Sequence, residues 1–187
     1  MRVVKDFFLP NGDILEIASG SGQHAVHFCQ NIPSLKWQAT DFDLAALDSI
    51  NSYSDAQAET LNNMLPAVML DVMDEVSWPK EKFDGILNCN MIHIAPEKSV
   101  EQLFRLTQRC LRPKGVLVIY GPFFEKDVVT TSSNISFHQS LLQRNSAWGI
   151  RHLETVVASA AVCGLSLRHR ISMPAHNLAL VFGFGAS

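Results

Sequence analysis

The sequence lacks the long apolar segments that mark membrane spans and secretory leaders. Its 187 residues contain no run of about 18 apolar side chains, which excludes a membrane-spanning helix. The first residues, MRVVKDFFLPNGD, contain no long apolar core of a signal peptide. We therefore expect a cytoplasmic protein without membrane partners.

Cysteine is scarce and widely spaced. No CxxC pair occurs, which excludes a disulfide framework or a zinc site of that spacing and favours buried thiols in a reducing compartment. His24 and His27 lie three apart on one predicted helix but lack a carboxylate at the usual metal-binding spacing, so we predict no metal site. The four cysteines are Cys29, Cys89, Cys110 and Cys163.

Charge is nearly balanced overall but is unevenly distributed. The net charge is −3, and the sequence has neither a basic stripe nor a nucleic-acid module, so nucleic acid is not an expected partner. Residues 1–97 hold 5 Lys/Arg against 14 Asp/Glu, whereas residues 98–187 hold 10 against 4. Two interpretations are open: the split reflects solvated faces alone, or the first half binds a cation and the second faces an anionic molecule.

Repeats and low-complexity tracts are also absent, and the length favours one domain over 1–187. Strands alternate with helices over the first 121 residues, which predicts a parallel sheet with helices on both faces. The last two strands are joined only by residues 173–176, so they must pair antiparallel as a hairpin. Predicted strands are 13–18, 36–40, 67–71, 83–90, 115–121, 165–172 and 177–184; predicted helices are 22–31, 43–52, 97–111, 135–144 and 151–163.

Several residues are predicted to begin or end these helices. Helix stops are expected at Gly115 and Gly164. Expected N-caps are Asp43 for the helix of 43–52, Ser133 or Asn134 for 135–144, and Ser146 for the helix that follows.

Residues 13–31 predict a strand, a turn of small residues and a helix. Gly20 and Gly22 in that turn allow positive φ and the close approach of a ligand, and Glu16 beside it favours a cationic one. Gly20-x-Gly22-x-x-Ala25 also fits the dinucleotide fingerprint, with Asp41 as the ribose acid. Glu16 argues against that alternative because it would face an anionic pyrophosphate, and no substrate domain follows the hairpin.

The glycine turn and the terminal hairpin resemble the class I methyltransferases, which use S-adenosylmethionine. A closer resemblance rests on the motifs LEIASGSGQHAVHF, WQATDFD, LDV, NMIHIAP, YGPF, SSNISFHQSL, WGIRHLE and MPAHNLALVF. Together they resemble the methyltransferase-like protein 26 family, also catalogued as a domain of unknown function.

This resemblance implies an α/β, Rossmann-like class I fold with a mostly parallel seven-stranded sheet, and S-adenosylmethionine as cofactor, but no acceptor. Such proteins usually have a covering helix before the first strand. The twelve residues before Asp13 are short for it, which predicts an open site or a truncated start.

The resemblance implies a set of cofactor-binding residues. The glycine turn would lie against the ribose and methionine part, Glu16 would bind the amino-acid end, and Asp41 the ribose hydroxyls. Asp71 would accept from the adenine amino group. From the residues alone, Asp at a strand end is also a common turn former. The full set is Glu16, Ala18, Ser19, Gly20, Gly22, Asp41, Asp71, Val72 and Asn90.

Catalytic and acceptor residues are predicted after the fourth and fifth strands. The catalytic candidates are Asn90, His93 and Tyr120; His93 would take the acceptor's proton, or is a structural imidazole. The segment 120–152 is predicted to be an acceptor-site insertion, and His176 and Asn177 to reach the same mouth. Its acceptor-binding candidates are Phe123, Asn134, His138, Arg144, Trp148 and Arg151.

The sequence therefore predicts an S-adenosylmethionine-dependent methyltransferase acting on a small molecule. Arg144 and Arg151 predict an anionic acceptor, unless they pair with Glu154 or solvent; Trp148 has core packing as its alternative. A cofactor-binding protein without turnover and a dinucleotide-dependent oxidoreductase are the alternative functions.

Overall fold

The computed structural model of the chain describes residues 2–57 and 61–185. Its helices are α1 (Arg2–Phe7), α2 (Gln23–Asn31), α3 (Leu44–Asp55), α4 (Lys98–Cys110), α5 (Ser132–Arg144) and α6 (Leu153–Val162). Its strands are β1 (Asp13–Ile17), β2 (Lys36–Asp41), β3 (Met64–Met69), β4 (Phe83–Cys89), β5 (Leu111–Gly121), β6 (Phe123–Phe124), β7 (Arg151–His152), β8 (Leu165–Ser172) and β9 (Leu178–Phe184). Short 3₁₀ turns cover Met91–His93 and Pro174–His176.

Seven strands form one sheet in the order β3-β2-β1-β4-β5-β9-β8. The pairs from β3 to β5 are parallel, whereas β9 runs antiparallel to both β5 and β8. The predicted architecture, a mostly parallel sheet closed by an antiparallel hairpin, is confirmed. As a result, the carboxyl ends of β1 to β5 lie along a single edge of the sheet.

The sheet is buried on both faces, as the apolar character of its central strands predicts. Leu15 and Ile17 of β1 face the cluster under α4 and α6, and Ile14 faces the cluster under α1, α2 and α3. Because side chains alternate along a strand, Glu16 lies on the same face as Ile14, beside Trp37. Val3 and Val4 of α1 pack on this face too, although no helix was predicted there.

Two strand boundaries differ from the predictions. β3 begins three residues earlier than expected and ends at Met69, so Asp71 lies in the following connection. Residues 70–82, which join β3 to β4, contain no helix or strand. Gly115 does not end a helix, because α4 ends at Cys110 and the chain enters β5 at once, where Leu111 pairs with Phe83.

Asp43 and Gly164 act as predicted, but two other caps do not. The carboxylate of Asp43 accepts from Ala45 N at 2.9 Å, and Gly164 follows α6 at φ 72°. Ser133 and Asn134 lie inside α5, which Thr131 caps by accepting from Asn134 N. Ser146 caps no helix, because α6 begins only at Leu153. Both errors have one cause: a Ser/Asn-rich segment offers several competing caps, and tertiary packing chooses between them.

Within residues 2–57 and 61–185, no helix combines the length and apolar character needed to cross a membrane.

Candidate functional site

A cavity of about 520 Å³ opens beyond the carboxyl ends of β1 to β4, and we call it the strand-end cavity. Ligands of open α/β sheets bind at this edge. A groove of about 650 Å³ lies instead where β1 and β2 begin, so we do not assign it the cofactor. The residues around the strand-end cavity are Ile17, Ala18, Gly20, Asp41, Phe42, Asp43, Ala46, Leu70, Asp71, Val72, Met73, Cys89, Met91, Ile94, Ala95, Pro96, Ser99 and Trp148.

The two glycines of the first turn have different roles. Gly20 has φ 58°, and a Cβ built on it would meet no heavy atom within 4 Å, so its backbone is open toward the cavity. Gly22 has φ 81°, and a Cβ there would come within 3.0 Å of Ile50 Cα. Gly20 thus leaves room for a ligand, whereas Gly22 lets α2 approach α3 closely.

Asp41 is held in a fixed orientation at the mouth of this turn. One carboxylate oxygen accepts from Gly20 N at 2.9 Å and the other from Asp43 N at 3.1 Å. The residue is 6% exposed and lines the cavity. Each oxygen keeps a lone pair, so the pre-oriented carboxylate suits a pair of ligand hydroxyl groups.

Asp71 and Val72 form the wall of the cavity beyond β3. The carboxylate of Asp71 accepts from Met73 N at 2.8 Å. Its backbone is fixed by Ser77, whose hydroxyl group bonds both Asp71 N and Asp71 O, and by the indole of Trp78, which reaches Asp71 O and Val72 O. This turn therefore presents one carboxylate and one apolar side chain to the cavity.

Glu16 is fully buried but does not line the cavity. Its Oε2 accepts from Trp37 Nε1 at 3.0 Å, whereas Oε1 has no hydrogen-bond partner among the described residues. Burial raises the pKa of Glu16 to about 7. The nearest imidazole nitrogen, His24 Nδ1, is 4.0 Å from Oε1, and burial lowers the pKa of His24. An unpaired buried carboxylate oxygen is the feature that an ammonium group would complement.

Of the remaining cofactor candidates, Ala18 lines the strand-end cavity, whereas Ser19 and Asn90 do not. Ser19 is buried, and its hydroxyl group accepts from Thr40 N at 3.2 Å, which ties the turn to β2. Asn90 has φ 63° and donates its backbone N–H to Tyr120 O at 2.9 Å. Its neighbours Cys89 and Met91 line the cavity, but Asn90 itself does not.

The three catalytic candidates do not meet at the cavity. His93 is fully buried, neither ring nitrogen has a hydrogen-bond partner among the described residues, and burial lowers its pKa to about 3. It packs edge-on against Phe123, with the ring centroids 5.1 Å apart. The hydroxyl group of Tyr120 accepts from Asn177 Nδ2 at 2.9 Å. A neutral, enclosed His93 gives no geometric support to the base role, which stays a prediction.

Two acceptor candidates meet instead at a smaller cavity of about 190 Å³. Phe123 and Asn134 line it together with His176 and Asn177, and Asn134 Nδ2 donates to His176 O at 3.3 Å. The hairpin turn therefore reaches the 120–152 segment, but at this smaller cavity and not at the strand-end cavity. Arg170 lines this cavity too, but it forms a bidentate ion pair with Glu125.

The two arginines on which the prediction of an anionic acceptor was based contact other protein groups instead. Arg144 is exposed, and its guanidinium carbon lies 5.3 Å from the centroid of the Trp148 ring. Arg151 donates to the carbonyl oxygens of Ile92, Ala95 and Ala147. Neither pairs with Glu154, which instead accepts from Lys126 N. All charged side chains that line the strand-end cavity are acidic.

His138 and Trp148 complete the predicted acceptor set. His138 Nδ1 accepts from Ile150 N at 3.1 Å, so it braces the loop that carries Trp148. Trp148 is the one acceptor candidate that lines the strand-end cavity, and it is half-buried there. Among the described residues, no three His, Cys, Asp or Glu side chains come together as metal ligands would.

Comparison with known families decides the membership of this chain. The model of a protein family of unknown function, DUF938, matches residues 1–183. The chain belongs to the DUF938 family. Within the structure, that match covers the whole sheet except the last residue of β9, and it includes every residue that lines the strand-end cavity.

The fold is that of the class I methyltransferases. Mitomycin 7-O-methyltransferase superimposes with a TM-score of 0.80 at 13% identity, over 92% of this chain and 49% of that one. A methyltransferase of calicheamicin biosynthesis, in its SAH-bound form, superimposes with a TM-score of 0.78 at 12% identity, over 95% of this chain and 50% of that one. An O-methyltransferase family 2 protein from Planctomyces limnophilus, in complex with apigenin, superimposes with a TM-score of 0.78 at 18% identity, over 93% of this chain and 51% of that one. The chain thus spans about half the length of these solved structures.

The sequence did not reveal the apolar part of the cavity wall. Phe42, Met91, Ile94 and Pro96 line it, and each lies within a motif from which only polar residues were selected. Their proximity to Asp41 and His93 was the available signal. Apolar side chains at strand ends resemble core residues in sequence, so only the fold distinguishes them.

Proposed function

We propose that this DUF938 protein is an S-adenosylmethionine-dependent methyltransferase with a small-molecule acceptor. The observation that carries the proposal is the strand-end cavity, which the open backbone of Gly20 and the carboxylates of Asp41 and Asp71 line together. We also infer from the run of shared motifs that the protein is related to the methyltransferase-like protein 26 family.

The residues that line the cavity fit this cofactor at two points. Asp41, fixed by Gly20 N and Asp43 N, would hold the ribose hydroxyls, and Asp71 with Val72 would hold adenine. Glu16, whose Oε1 has no partner among the described residues, is the predicted partner of the ammonium group; because it does not line the cavity, that contact needs a movement of the turn or a bridging water. A cavity whose charged side chains are all acidic suits a ligand that carries a sulfonium and an ammonium charge.

When bound, S-adenosylmethionine supplies an electrophilic methyl group for in-line displacement. The protein's own contribution is to fix the cofactor and the acceptor relative to each other and to exclude water. Trp148 and the apolar side chains of residues 91–96 serve that purpose on the acceptor side. The smaller cavity beside Phe123 and Asn134 is where we place recognition of the acceptor.

Thermal unfolding with candidate ligands tests the cofactor assignment. A ligand that binds only the native state raises the melting temperature. We expect S-adenosylmethionine and S-adenosylhomocysteine to raise it and NAD to leave it unchanged. Stabilisation by NAD alone would instead favour a dinucleotide-dependent oxidoreductase. The antiparallel β9 argues against that alternative, because the dinucleotide-binding fold has an all-parallel sheet.

A cofactor-binding protein without turnover is the second candidate. One observation favours it: Asn90, His93 and Tyr120 all lie outside the strand-end cavity. Incubation with methyl-labelled S-adenosylmethionine and a fractionated metabolite extract separates the two candidates. Label transferred to a small molecule supports the enzyme, whereas tight S-adenosylhomocysteine binding with no transfer supports the second candidate.

A further inference from the structure

The guanidinium group of Arg151 bonds to carbonyl oxygens from two segments that are far apart in the sequence. Its Nε donates to Ile92 O at 2.8 Å, and its Nη2 donates to Ala95 O at 2.5 Å and to Ala147 O at 3.1 Å. Within the described part of the chain, no carboxylate lies at salt-bridge distance from this side chain. Arg151 is thus committed to backbone groups and not to an acidic partner.

Both of these segments are walls of the strand-end cavity. Residues 91–96 contribute Met91, Ile94, Ala95 and Pro96, and the loop after α5 contributes Trp148. A backbone bond from Gly149 N to His93 O, at 2.9 Å, is the second tie between the segments. The ordering of this wall therefore depends on a few hydrogen bonds, of which Arg151 supplies three.

The carbonyl groups that accept from Arg151 lie outside the α-helices and the β-sheet. Ile92 lies in a single 3₁₀ turn, Ala95 follows it, and Ala147 lies in a turn. The bonds to Ile92 O and Ala95 O are partly buried, where a carbonyl oxygen needs another donor, whereas the bond to Ala147 O is exposed. Charge-assisted bonds are the stronger kind. The Arg151 backbone is itself fixed, because β7 pairs with β6 through Phe123.

We propose that Arg151 is a positioning residue that holds Trp148 and residues 91–96 together as one wall of the strand-end cavity. A planar guanidinium group reaches oxygens on both segments at once, whereas the compact ammonium group of lysine has no such fork. The proposal rests on the proposed function only in naming the cofactor as the ligand whose affinity the wall controls.

The experiment compares Arg151→Met and Arg151→Lys with the wild type in two measurements. Calorimetric titration with S-adenosylhomocysteine should show a Kd raised about tenfold or more in Arg151→Met, with Arg151→Lys intermediate. Acrylamide quenching of tryptophan fluorescence, with Trp148→Phe variants to isolate the signal of that indole, should show Trp148 more accessible in Arg151→Met. Trp37 and Trp78 are 0% and 5% exposed, so they contribute little to the quenching.

Arg112→Met is the matched control. Arg112 also makes several side-chain bonds, to Asp13 and Asp84, but lies at the opposite edge of the sheet. It should lower the melting temperature without changing Trp148 quenching or the Kd. If Arg151→Met only loses stability in the same way, the proposal is overturned. If it fails to fold, unchanged quenching and Kd in Arg151→Lys overturn it equally. A wild type that binds no S-adenosylhomocysteine would refute the proposed function, while the quenching comparison would still decide the role of Arg151.

Discussion

Replacing Glu16 by Gln should make the free protein more stable above neutral pH and at the same time weaken cofactor binding. Glu16 is 1% exposed, and one of its two oxygens has no partner among the described residues. Gln keeps the shape and still accepts from Trp37 Nε1, but it never carries a charge. The substitution therefore isolates the cost of the buried charge.

The magnitude follows from the pKa. Burial raises the pKa of Glu16 from 4.5 to about 7, and each pKa unit is worth about 1.4 kcal/mol, so the difference amounts to about 3 kcal/mol. Because the folded-state pKa lies above the unfolded one, this contribution is fully present below pH 4.5 and is lost as the pH rises through 7. Glu16→Gln lacks that loss, so its advantage over the wild type should grow by about 3 kcal/mol between pH 4.5 and pH 8.

Urea unfolding followed by circular dichroism at several pH values measures this difference. Glu154→Gln is a control of opposite sign, because the Lys126 backbone N–H lowers the pKa of Glu154 and its contribution is lost as the pH falls. If Glu16 binds the ammonium group as proposed, the same samples, titrated with S-adenosylhomocysteine at pH 8, should show weaker binding in Glu16→Gln. A stability difference that stays flat from pH 4.5 to pH 8 would refute the reasoning.

Three further predictions concern the two cavities. Gly20→Val should leave a folded protein, destabilised by about 1–2 kcal/mol through its positive φ, but abolish S-adenosylhomocysteine binding in calorimetry. Gly22→Ala is its control: it should destabilise the protein by crowding Ile50 and leave S-adenosylhomocysteine binding unchanged. Asp41→Ala should weaken binding by roughly 1–3 kcal/mol, and equal affinity for mutant and wild type would remove Asp41 from the site. Once an acceptor is found, Asn134→Ala should raise its KM more than it lowers kcat, and wild-type kinetics would place the acceptor elsewhere.

The strands and the edge that carries the strand-end cavity were predictable because several independent signals in the sequence indicate them. Apolar runs, the glycine turn and the Asp residues after β2 and β3 all point to one edge of one sheet, and the structure brings Gly20, Asp41 and Asp71 together there. The terminal hairpin followed from loop length alone. Agreement between local and global signals makes such elements readable from sequence.

The acceptor side was not predictable in the same way. Arg144 and Arg151 occur in a basic segment, and sequence alone cannot distinguish an arginine that faces a ligand from one bound to carbonyl oxygens. His93 has the residue type of a base, but burial beside Phe123 makes it a neutral ring. Tertiary contacts determine which partner a long polar side chain binds, and such contacts leave no periodic pattern in the sequence.

The turns that join β3 to β4 form a cavity wall that is packed on the core but has few hydrogen bonds to the sheet. The side chains of Val72 and Trp78 are buried in the cluster under α4 and α6, and Glu75 pairs with Arg105 of α4 at 2.7 Å. The amides of Met73 and Ser77, in contrast, bond only to acceptors within the segment. Exposed turn amides open at a lower free energy than those of central strands. The amides of residues 71–77 should therefore exchange with deuterium sooner than those of β1 and β4. If the cofactor binds as proposed, S-adenosylhomocysteine should slow these amides selectively, and release of its adenine end would disturb this wall and α4 without any movement of the sheet.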